Sequence, residues 1–340
     1  MDIKRRIRIL PLLAVLFFAP TAAAAGAELV PVGEAVGIVL DVKGVYVEEL
    51  APFRGETGRV SPAEAAGLLP GDLLVKVDGT EISGTEELAA LLREKAGNQI
   101  PAEIQRNGKR MTLAVTPEKD AESGETRLGI LARETQSGIG TVTWYDPATG
   151  AYGALGHGIR AARSEPGGLD RGELYRVTLT GLDKGARGKA GELKGSLSGD
   201  PVGTAEANTP YGVFGYARDV FGGETVETAS RGEIRAGKAA ILSTLAEGGP
   251  ERYEIEILGV ENGGDPGRAI SFRVVDGRLL EKTGGVIRGM SGSPILQDGK
   301  LVGAVTHVLL EDPARGYGVP IETMLDSFEA SRKPAERKAA

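Results

Sequence analysis

The residue types and spacing of Gly289-Met-Ser291-Gly-Ser293-Pro294 could support acyl transfer. A serine that attacks a carbonyl needs an exposed hydroxyl, and backbone N–H groups must lie beside it to stabilise the oxyanion. A glycine two residues before the serine leaves its own N–H accessible. The motif therefore predicts Ser291 as nucleophile, with the backbone N–H groups of Gly289 and Ser291 as the oxyanion hole. Ser293 competes for the role, although Pro294 follows it directly, and a plain turn between strands is the alternative.

The chain has two histidines, and histidine is the usual general base near neutral pH. His157 lies in the small-residue stretch 153–158, where an imidazole could be approached from several sides. His307 lies within the apolar run 301–308, which predicts a strand. We therefore predict that His157 is the base and that His307 is a strand residue.

Two aspartates are candidates for the acid that would orient the histidine. Asp276 ends the apolar run 272–275 and precedes Gly277. Taken alone, an Asp-Gly pair at that position is more typical of a turn than of a catalytic acid. Asp200 follows His157 in the chain and is the second candidate.

Together these motifs resemble the SpoIVB-type peptidases, the sporulation stage IV family of serine proteases with a PDZ domain and a chymotrypsin-like fold. The matching stretches are 153–158, 208–215, 276–280, 283–295 and 303–308. The resemblance implies a triad of His157 as base, Asp276 as orienting acid and Ser291 as nucleophile. One departure from ordinary chymotrypsin-like enzymes is that Asp276 lies shortly before the serine, whereas their acid comes from the first barrel. Because a triad is defined by geometry, the sequence leaves Asp200 open.

The segment 29–118 resembles a bacterial PDZ domain, most closely in the run Ala66-Gly-Leu-Leu-Pro-Gly-Asp72. A PDZ groove binds an extended peptide by adding it to a sheet edge beside a helix. We place this groove between the strand 44–50 and the helix 85–95, and the alternative is a spacer module whose groove is unused. The predicted peptide-binding residues are Gly44, Val45, Tyr46, Val47, Leu88, Leu91 and Leu92.

Residues 1–25 have the layout of a signal peptide. A positive start is followed by the apolar run 9–20 and by the small residues 21–25. An uncleaved N-terminal anchor is the alternative. Either way we expect export across the cytoplasmic membrane, as a secreted or membrane-anchored protein. The resemblance places it in the space between the forespore and mother cell membranes.

The rest of the chain predicts a mainly β protein. Short β-like runs separated by glycine turns across 128–329 are typical of antiparallel barrels or sandwiches. With the resemblance, the expected architecture is a small α+β module, the PDZ domain, followed by a chymotrypsin-like double β-barrel peptidase domain at 128–329. A linker at 119–127 joins them, and 330–340 forms a charged tail.

Composition narrows the classes of function. A net charge of −7 without a long basic run argues against nucleic acid as a partner. The absence of cysteine excludes thiol catalysis and disulfides. No sequence pattern suggests a metal cluster, a phosphate loop or a dinucleotide site, so no metal and no cofactor are expected.

The sequence thus predicts an exported serine endopeptidase whose PDZ domain controls access to the site or presents protein substrates. The resemblance further implies a signalling protease of endospore formation that cleaves a membrane-bound regulatory protein and also itself. Its expected partners are that protein substrate and a peptide ligand of the PDZ groove, with membrane contact only through the N-terminal segment. A catalytically idle PDZ adaptor that binds exported chain ends is the alternative, and an esterase with the same triad is a third hypothesis.

Overall fold

A computed structural model describes residues 26–106, 109–159, 172–261 and 263–332. The predicted signal segment 1–25 lies outside the described residues, as does most of the predicted charged tail. Within the described ranges, no helix combines the length and the apolar character needed to cross a bilayer.

The strands of the described residues are, in chain order, β1 (Glu28–Pro31), β2 (Ala35–Leu50), β3 (Phe53–Gly55), β4 (Gly58–Val60), β5 (Leu73–Val77), β6 (Thr80–Glu81), β7 (Ile100–Arg106), β8 (Lys109–Val115), β9 (Glu118–Lys119), β10 (Thr126–Arg127), β11 (Ile130–Tyr145), β12 (Ala151–Ala154), β13 (Gly172–Asp183), β14 (Glu192–Thr209), β15 (Gly212–Ala217), β16 (Val226–Glu227), β17 (Gly237–Ser243), β18 (Glu251–Val260), β19 (Ile270–Val274), β20 (Pro294–Gln297), β21 (Lys300–Leu309) and β22 (Asp312–Pro320). The α-helices are α1 (Pro62–Ala65), α2 (Thr85–Leu92), α3 (Gly277–Thr283) and α4 (Ile321–Arg332).

Six strands form a first barrel, in the order β11-β12-β15-β14-β13-β2, and β2 pairs back onto β11 to close it. Its interior is filled by apolar side chains from every side of the ring, including Ile38, Leu40, Tyr152, Leu174 and Val213. Burial of this apolar surface is the main term that stabilises such a barrel.

A second closed barrel follows in the order β17-β18-β19-β22-β21-β20. Along β18 the side chains of Tyr253, Ile255 and Ile257 are buried, whereas Arg252 before them and Glu254 between them are exposed. This period of two is what a strand needs when one face meets the core and the other meets water. The predicted double β-barrel is therefore confirmed.

The PDZ unit packs α1 and α2 against β5, β7 and β8 around a separate apolar core. The strands β7 and β8 pair antiparallel, with Arg106 opposite Lys109. The predicted helix from Thr85 is present as α2 but ends at Leu92. A mainly β chain with a small α+β module is confirmed.

The PDZ unit is inserted into the first barrel rather than placed before it. The strands β2 and β11 each have 16 residues. They pair from Ala35 opposite Thr141 to Leu50 opposite Ile130, with an irregularity between the Asp41–Thr135 and Tyr46–Arg133 pairs. One end of this pair belongs to the barrel core and the other end to the PDZ core. The first strand of the barrel therefore lies inside the segment 29–118 that the sequence assigned to the PDZ domain.

This arrangement predicts that the PDZ unit can be removed only internally. Asp41 and Thr135 are opposite one another in the β2–β11 ladder, so an Asn-Gly turn replacing residues 42–134 would join them as a two-residue hairpin. We expect that variant to fold with a single cooperative thermal transition. A chain starting at Glu125 lacks β1 and β2, and we expect it to remain unfolded by circular dichroism. A folded Glu125 truncation would contradict the shared-strand arrangement.

Candidate functional site

The loop before β20 presents Ser291 at the edge of the second barrel. Ser291 is half-buried, and its Oγ donates a hydrogen bond to the Thr306 carbonyl at 3.2 Å. Gly289 and Gly292 have φ of +97° and +96°, which favours glycine. A Cβ on Gly292 would collide with the carbonyl oxygen of Thr141. Both glycines of the motif are therefore required by the backbone.

Two backbone N–H groups of this loop are available for an oxyanion. The N–H groups of Arg288, Met290 and Gly292 donate to carbonyls within the protein. Among the described residues, the N–H groups of Gly289 and Ser291 have no such acceptor. These are the two donors that the sequence predicts for the oxyanion hole.

The competing serine has a structural position. Ser293 has no exposed surface, and its Oγ donates to Ser243 Oγ at 3.1 Å in the second barrel. A nucleophile must be reached by its substrate, so burial favours Ser291 over Ser293.

His157 follows β12 in the first barrel. Leu155 and Gly156 before it have φ of +69° and +65°, and this is an uncommon conformation for a leucine. Nδ1 of His157 lies 3.1 Å from the Gly158 carbonyl. Because a carbonyl only accepts, Nδ1 carries the proton in this contact, which leaves Nε2 as the basic nitrogen.

The two barrels bring the histidine and the serine segments together. A Cβ on Gly292 would lie 2.5 Å from the Leu155 nitrogen, and a Cβ on Gly156 would lie 3.0 Å from Thr306 Cγ2. The chain that carries His157 therefore packs directly on the residues that surround Ser291. A cavity of about 320 Å³ beside the histidine is lined by Ser137, Gly138, Ile139, Leu155, His157, Gly158 and Ile159.

His307 lies on β21, as predicted, and also borders the site. Its ring centroid is 5.8 Å from that of His157. The apolar run around His307 indicated a strand, but strand periodicity does not show which other segment a side chain will face. Proximity to the base was therefore missed.

Asn208 on β14 is a site residue to which the sequence reasoning assigned no role. Its Oδ1 accepts from the Ile159 N–H at 2.9 Å, and its Nδ2 donates to the Ile159 carbonyl at 3.0 Å. These two bonds fix the chain just after His157. The only signal was the position of Asn208 in one of the stretches that carry the family resemblance.

Asp276 is the N-cap of α3 in this structure. Its carboxylate accepts from the backbone N–H groups of Arg278, Leu279 and Glu254, and it pairs with the Arg278 guanidinium at 2.9 Å. Hydrogen bonding by the Arg278 side chain lowers the pKa of Asp276 to about 2. None of the contacts of this carboxylate within the described chain involves a histidine. Its role as the orienting acid stays a prediction.

Asp200, the second candidate acid, is exposed on β14. Its side chain makes no hydrogen bond or ion pair with another described residue. The structure therefore joins neither aspartate to His157.

The structure corrects the strand half of the predicted PDZ groove. β2 is an internal strand, because it pairs with β11 on one edge and with β5 on the other. Val45 and Val47 are completely buried, and Gly44 and Tyr46 lie on the same paired strand. At Tyr46 and Val47 both edges of the strand are occupied, by β11 on one side and by residues 71–73 on the other, which leaves no room for a peptide there. Sequence patterning identified the strand but not its neighbours.

A groove nevertheless runs beside α2, with a volume of about 520 Å³. Leu88, Ala89 and Leu92 form one wall, and residues 124–130 together with Ala132 line the other side. The predicted residue Leu91 packs against the core beneath. Over Ile130–Arg133, no described strand pairs with the edge of β11 that faces away from β2. This edge, rather than β2, has the geometry for strand addition.

The segment 119–127, which the sequence predicts as a linker, is folded onto the PDZ unit, and its last residues line the groove beside α2. β9 and β10 pair with each other, and Thr126 Oγ1 donates to the Arg93 carbonyl at the end of α2. Gly129, with φ of +76°, then turns the chain into β11.

Comparison with known proteins agrees with these two units. A model of the SpoIVB peptidase S55 family matches residues 124–325, which is more than half of the chain. The chain belongs to the SpoIVB peptidase S55 family. A PDZ domain model also matches residues 59–106. The family resemblance inferred from the sequence is thus confirmed.

Individual relatives of this S55 family member match over shorter stretches. The carboxy-terminal processing protease CtpA of Bacillus subtilis is 30% identical over 166 residues, 45% of this chain and 34% of CtpA. The zinc metalloprotease RasP of Geobacillus kaustophilus is 31% identical over 93 residues, 27% of this chain and 22% of RasP. The chain spans about a third or less of the length of these relatives.

Solved structures show distant likeness. The active form of the Rv3671c protease from M. tuberculosis is 13% identical, with 58% of this chain and 76% of that chain covered and a TM-score of 0.36. The HtrA-type protease AlgW with tripeptide is 14% identical, with 57% and 56% covered and a TM-score of 0.34.

The two serines should respond differently to substitution. Ser291→Ala should abolish cleavage of a protein substrate, a loss of several orders of magnitude, with an unchanged thermal transition because the side chain is half-exposed. Ser293→Ala should lower thermal stability and retain turnover per folded molecule. Both are measured with casein as substrate and by labelling with a fluorophosphonate. Labelling that survives Ser291→Ala but not Ser293→Ala would reverse the assignment.

The Asp276 cap predicts a pH dependence of stability. Because its folded-state pKa is lowered to about 2, the charged carboxylate stabilises the fold above its unfolded pKa of about 3.9. That stability is lost as the pH falls through 2. Asp276→Asn should cost about 1 kcal/mol at pH 6, a modest value because the exposed Arg278 is screened by solvent. Urea unfolding from pH 6 to pH 2 should show the difference shrink as the carboxylate becomes protonated, and a constant difference would contradict this account.

Proposed function

We propose that this protein is an exported serine endopeptidase with Ser291 as nucleophile and His157 as general base. The supporting observation is a half-buried serine in a loop that packs against the segment carrying His157. Two backbone N–H groups of this loop have no acceptor among the described residues. A buried turn would have no reason to leave those two N–H groups without an acceptor, because unsatisfied donors destabilise a fold.

We infer the course of the reaction from the positions of these groups. In the structure the Ser291 hydroxyl donates to the Thr306 carbonyl, so it first rotates toward His157 Nε2 as a peptide bond enters. Ser291 Oγ attacks the carbonyl carbon while its proton passes to Nε2, and the Gly289 and Ser291 N–H groups hold the oxyanion. Nε2 then protonates the leaving amine, and water hydrolyses the acyl-enzyme by the same proton path in reverse.

We retain Asp276 as the proposed orienting acid on the family resemblance. Its carboxylate is engaged at the N-terminus of α3, so this role needs the first turn of α3 to rearrange. The Asp276→Asn variant described above tests the proposal a second way. An orienting acid predicts that turnover falls by orders of magnitude, whereas a cap alone predicts an activity loss no larger than the loss of folded protein.

The wider role rests on the resemblance and on the N-terminal sequence. Residues 1–25 would direct the chain across the cytoplasmic membrane, into the space between the forespore and mother cell membranes. There the protein would act as a signalling protease of endospore formation that cleaves a membrane-bound regulatory protein and its own N-terminal region. The PDZ unit would control access to the site or present the substrate, with a peptide added to the free edge of β11 beside α2.

Two neighbouring alanines on α2 test this use of the groove. Ala89 lines the groove and Ala90 does not, and both are exposed. Ala89→Arg should block strand addition and slow cleavage of a folded protein substrate, with hydrolysis of a short chromogenic peptide retained. Ala90→Arg adds the same charge to the same helix and should behave as wild type.

Other outcomes distinguish the alternatives. Equal rates for both arginine variants on both substrates would make the PDZ unit a spacer. Faster peptide hydrolysis in Ala89→Arg would indicate inhibition through the groove. Failure of the wild-type protein to react with a fluorophosphonate or to cleave any peptide would favour the idle PDZ adaptor, and hydrolysis of esters alone would favour the esterase.

A further inference from the structure

We infer that Thr141 and Thr143 of β11 are positioning residues for the oxyanion hole, a role that rests on the proposed peptidase activity. Both side chains are completely buried. Thr141 Oγ1 donates to the Gly289 carbonyl at 2.8 Å, and Thr143 Oγ1 donates to the Gly292 carbonyl at 2.7 Å. The hydroxyls of the first barrel thus bond residues 288–293 before β20, here called the nucleophile loop.

These bonds belong to a set of four that the first barrel donates to this loop. The Thr141 N–H donates to the Ser291 carbonyl at 2.9 Å, and the Leu193 N–H donates to the Arg288 carbonyl at 2.9 Å. Four carbonyls, those of Arg288, Gly289, Ser291 and Gly292, therefore accept from β11 or β14.

The direction of a carbonyl fixes the direction of the N–H that follows it. A peptide unit is planar and trans, so its C=O and N–H point opposite ways. The Arg288 carbonyl held by Leu193 turns the Gly289 N–H away from β14. The Thr141 hydroxyl holds the peptide unit between Gly289 and Met290, which lies between the two units that carry the Gly289 and Ser291 N–H groups, and the Thr143 hydroxyl holds the unit between Gly292 and Ser293. The loop therefore cannot rotate these neighbouring units and redirect the oxyanion donors without breaking buried hydrogen bonds.

Substitution of each threonine by valine or by serine separates the role of its hydroxyl from the role of its packing. Valine has nearly the volume of threonine but no hydroxyl, whereas serine keeps the hydroxyl and loses a methyl group. Thr283→Val is the matched control, because Thr283 is also buried and its hydroxyl bonds the carbonyls of Leu279 and Gly285, outside the nucleophile loop.

The test measures kcat and KM on a chromogenic peptide together with inhibition by a peptide aldehyde, which forms a hemiacetal oxyanion on the serine. We expect Thr141→Val and Thr143→Val to lower kcat about 10- to 100-fold with little change in KM, and to weaken the aldehyde in proportion. Thr141→Ser and Thr143→Ser should restore both. Thr283→Val should lower the thermal transition with kcat retained.

Two results would overturn the inference. One is a serine variant as impaired as its valine counterpart, which would assign the effect to the lost packing. The other is a kcat of the valine variants that falls no more than in Thr283→Val at equal folded fraction. Should a valine variant fail to fold, the cysteine variant replaces it, since a thiol is a weaker donor. Turnover should then fall in the order threonine, serine, cysteine.

Discussion

The proposed catalytic geometry of this chain depends on hydrogen bonds that cross from the first barrel to the loop before β20. His157 comes from the first barrel and Ser291 from the second, so neither barrel alone would hold the proposed site. The backbone bonds of Thr141 and Leu193 and the hydroxyl bonds of Thr143 and Thr141 set the loop against β11 and β14. A small rotation between the barrels would change these bonds first, and with them the direction of the oxyanion donors.

A single strand, β11, carries three of the features described above. Its first residues form the open edge beside α2, its middle lines the cavity next to His157, and Thr141 and Thr143 near its end hold the nucleophile loop. Pairing with β2 from Ile130 to Thr141 connects these three regions through one ladder. A peptide bound at one end of this strand would therefore act on an element that also contacts the proposed site, and this would give the proposed control by the PDZ unit a physical basis.

The sequence was sufficient for the fold class and for the backbone conformation of the loop around Ser291. The glycines around Ser291 indicated a backbone conformation that only glycine adopts easily. The alternation of apolar and polar residues along β18 indicated a strand with one face toward a core. The sequence did not show which strands and side chains lie next to one another in the fold. Val45 reads the same on an edge strand as on an internal one, so the groove was placed on β2 instead of β11. Asp276 reads as a catalytic acid or as a cap, and Thr141 as an ordinary strand residue, because their partners lie far away in sequence.

The insertion of the PDZ unit between β2 and β11 has a consequence for how the chain acquires its structure. The two strands are far apart in sequence, and bringing them together costs loop-closure entropy while the intervening chain is unfolded. In a folded PDZ unit, the points where the chain enters and leaves it lie opposite one another, at Leu50 and Ile130. It would then nucleate the longest strand pair of the barrel, so the recognition module also serves as an internal folding template, and barrel closure should wait for it.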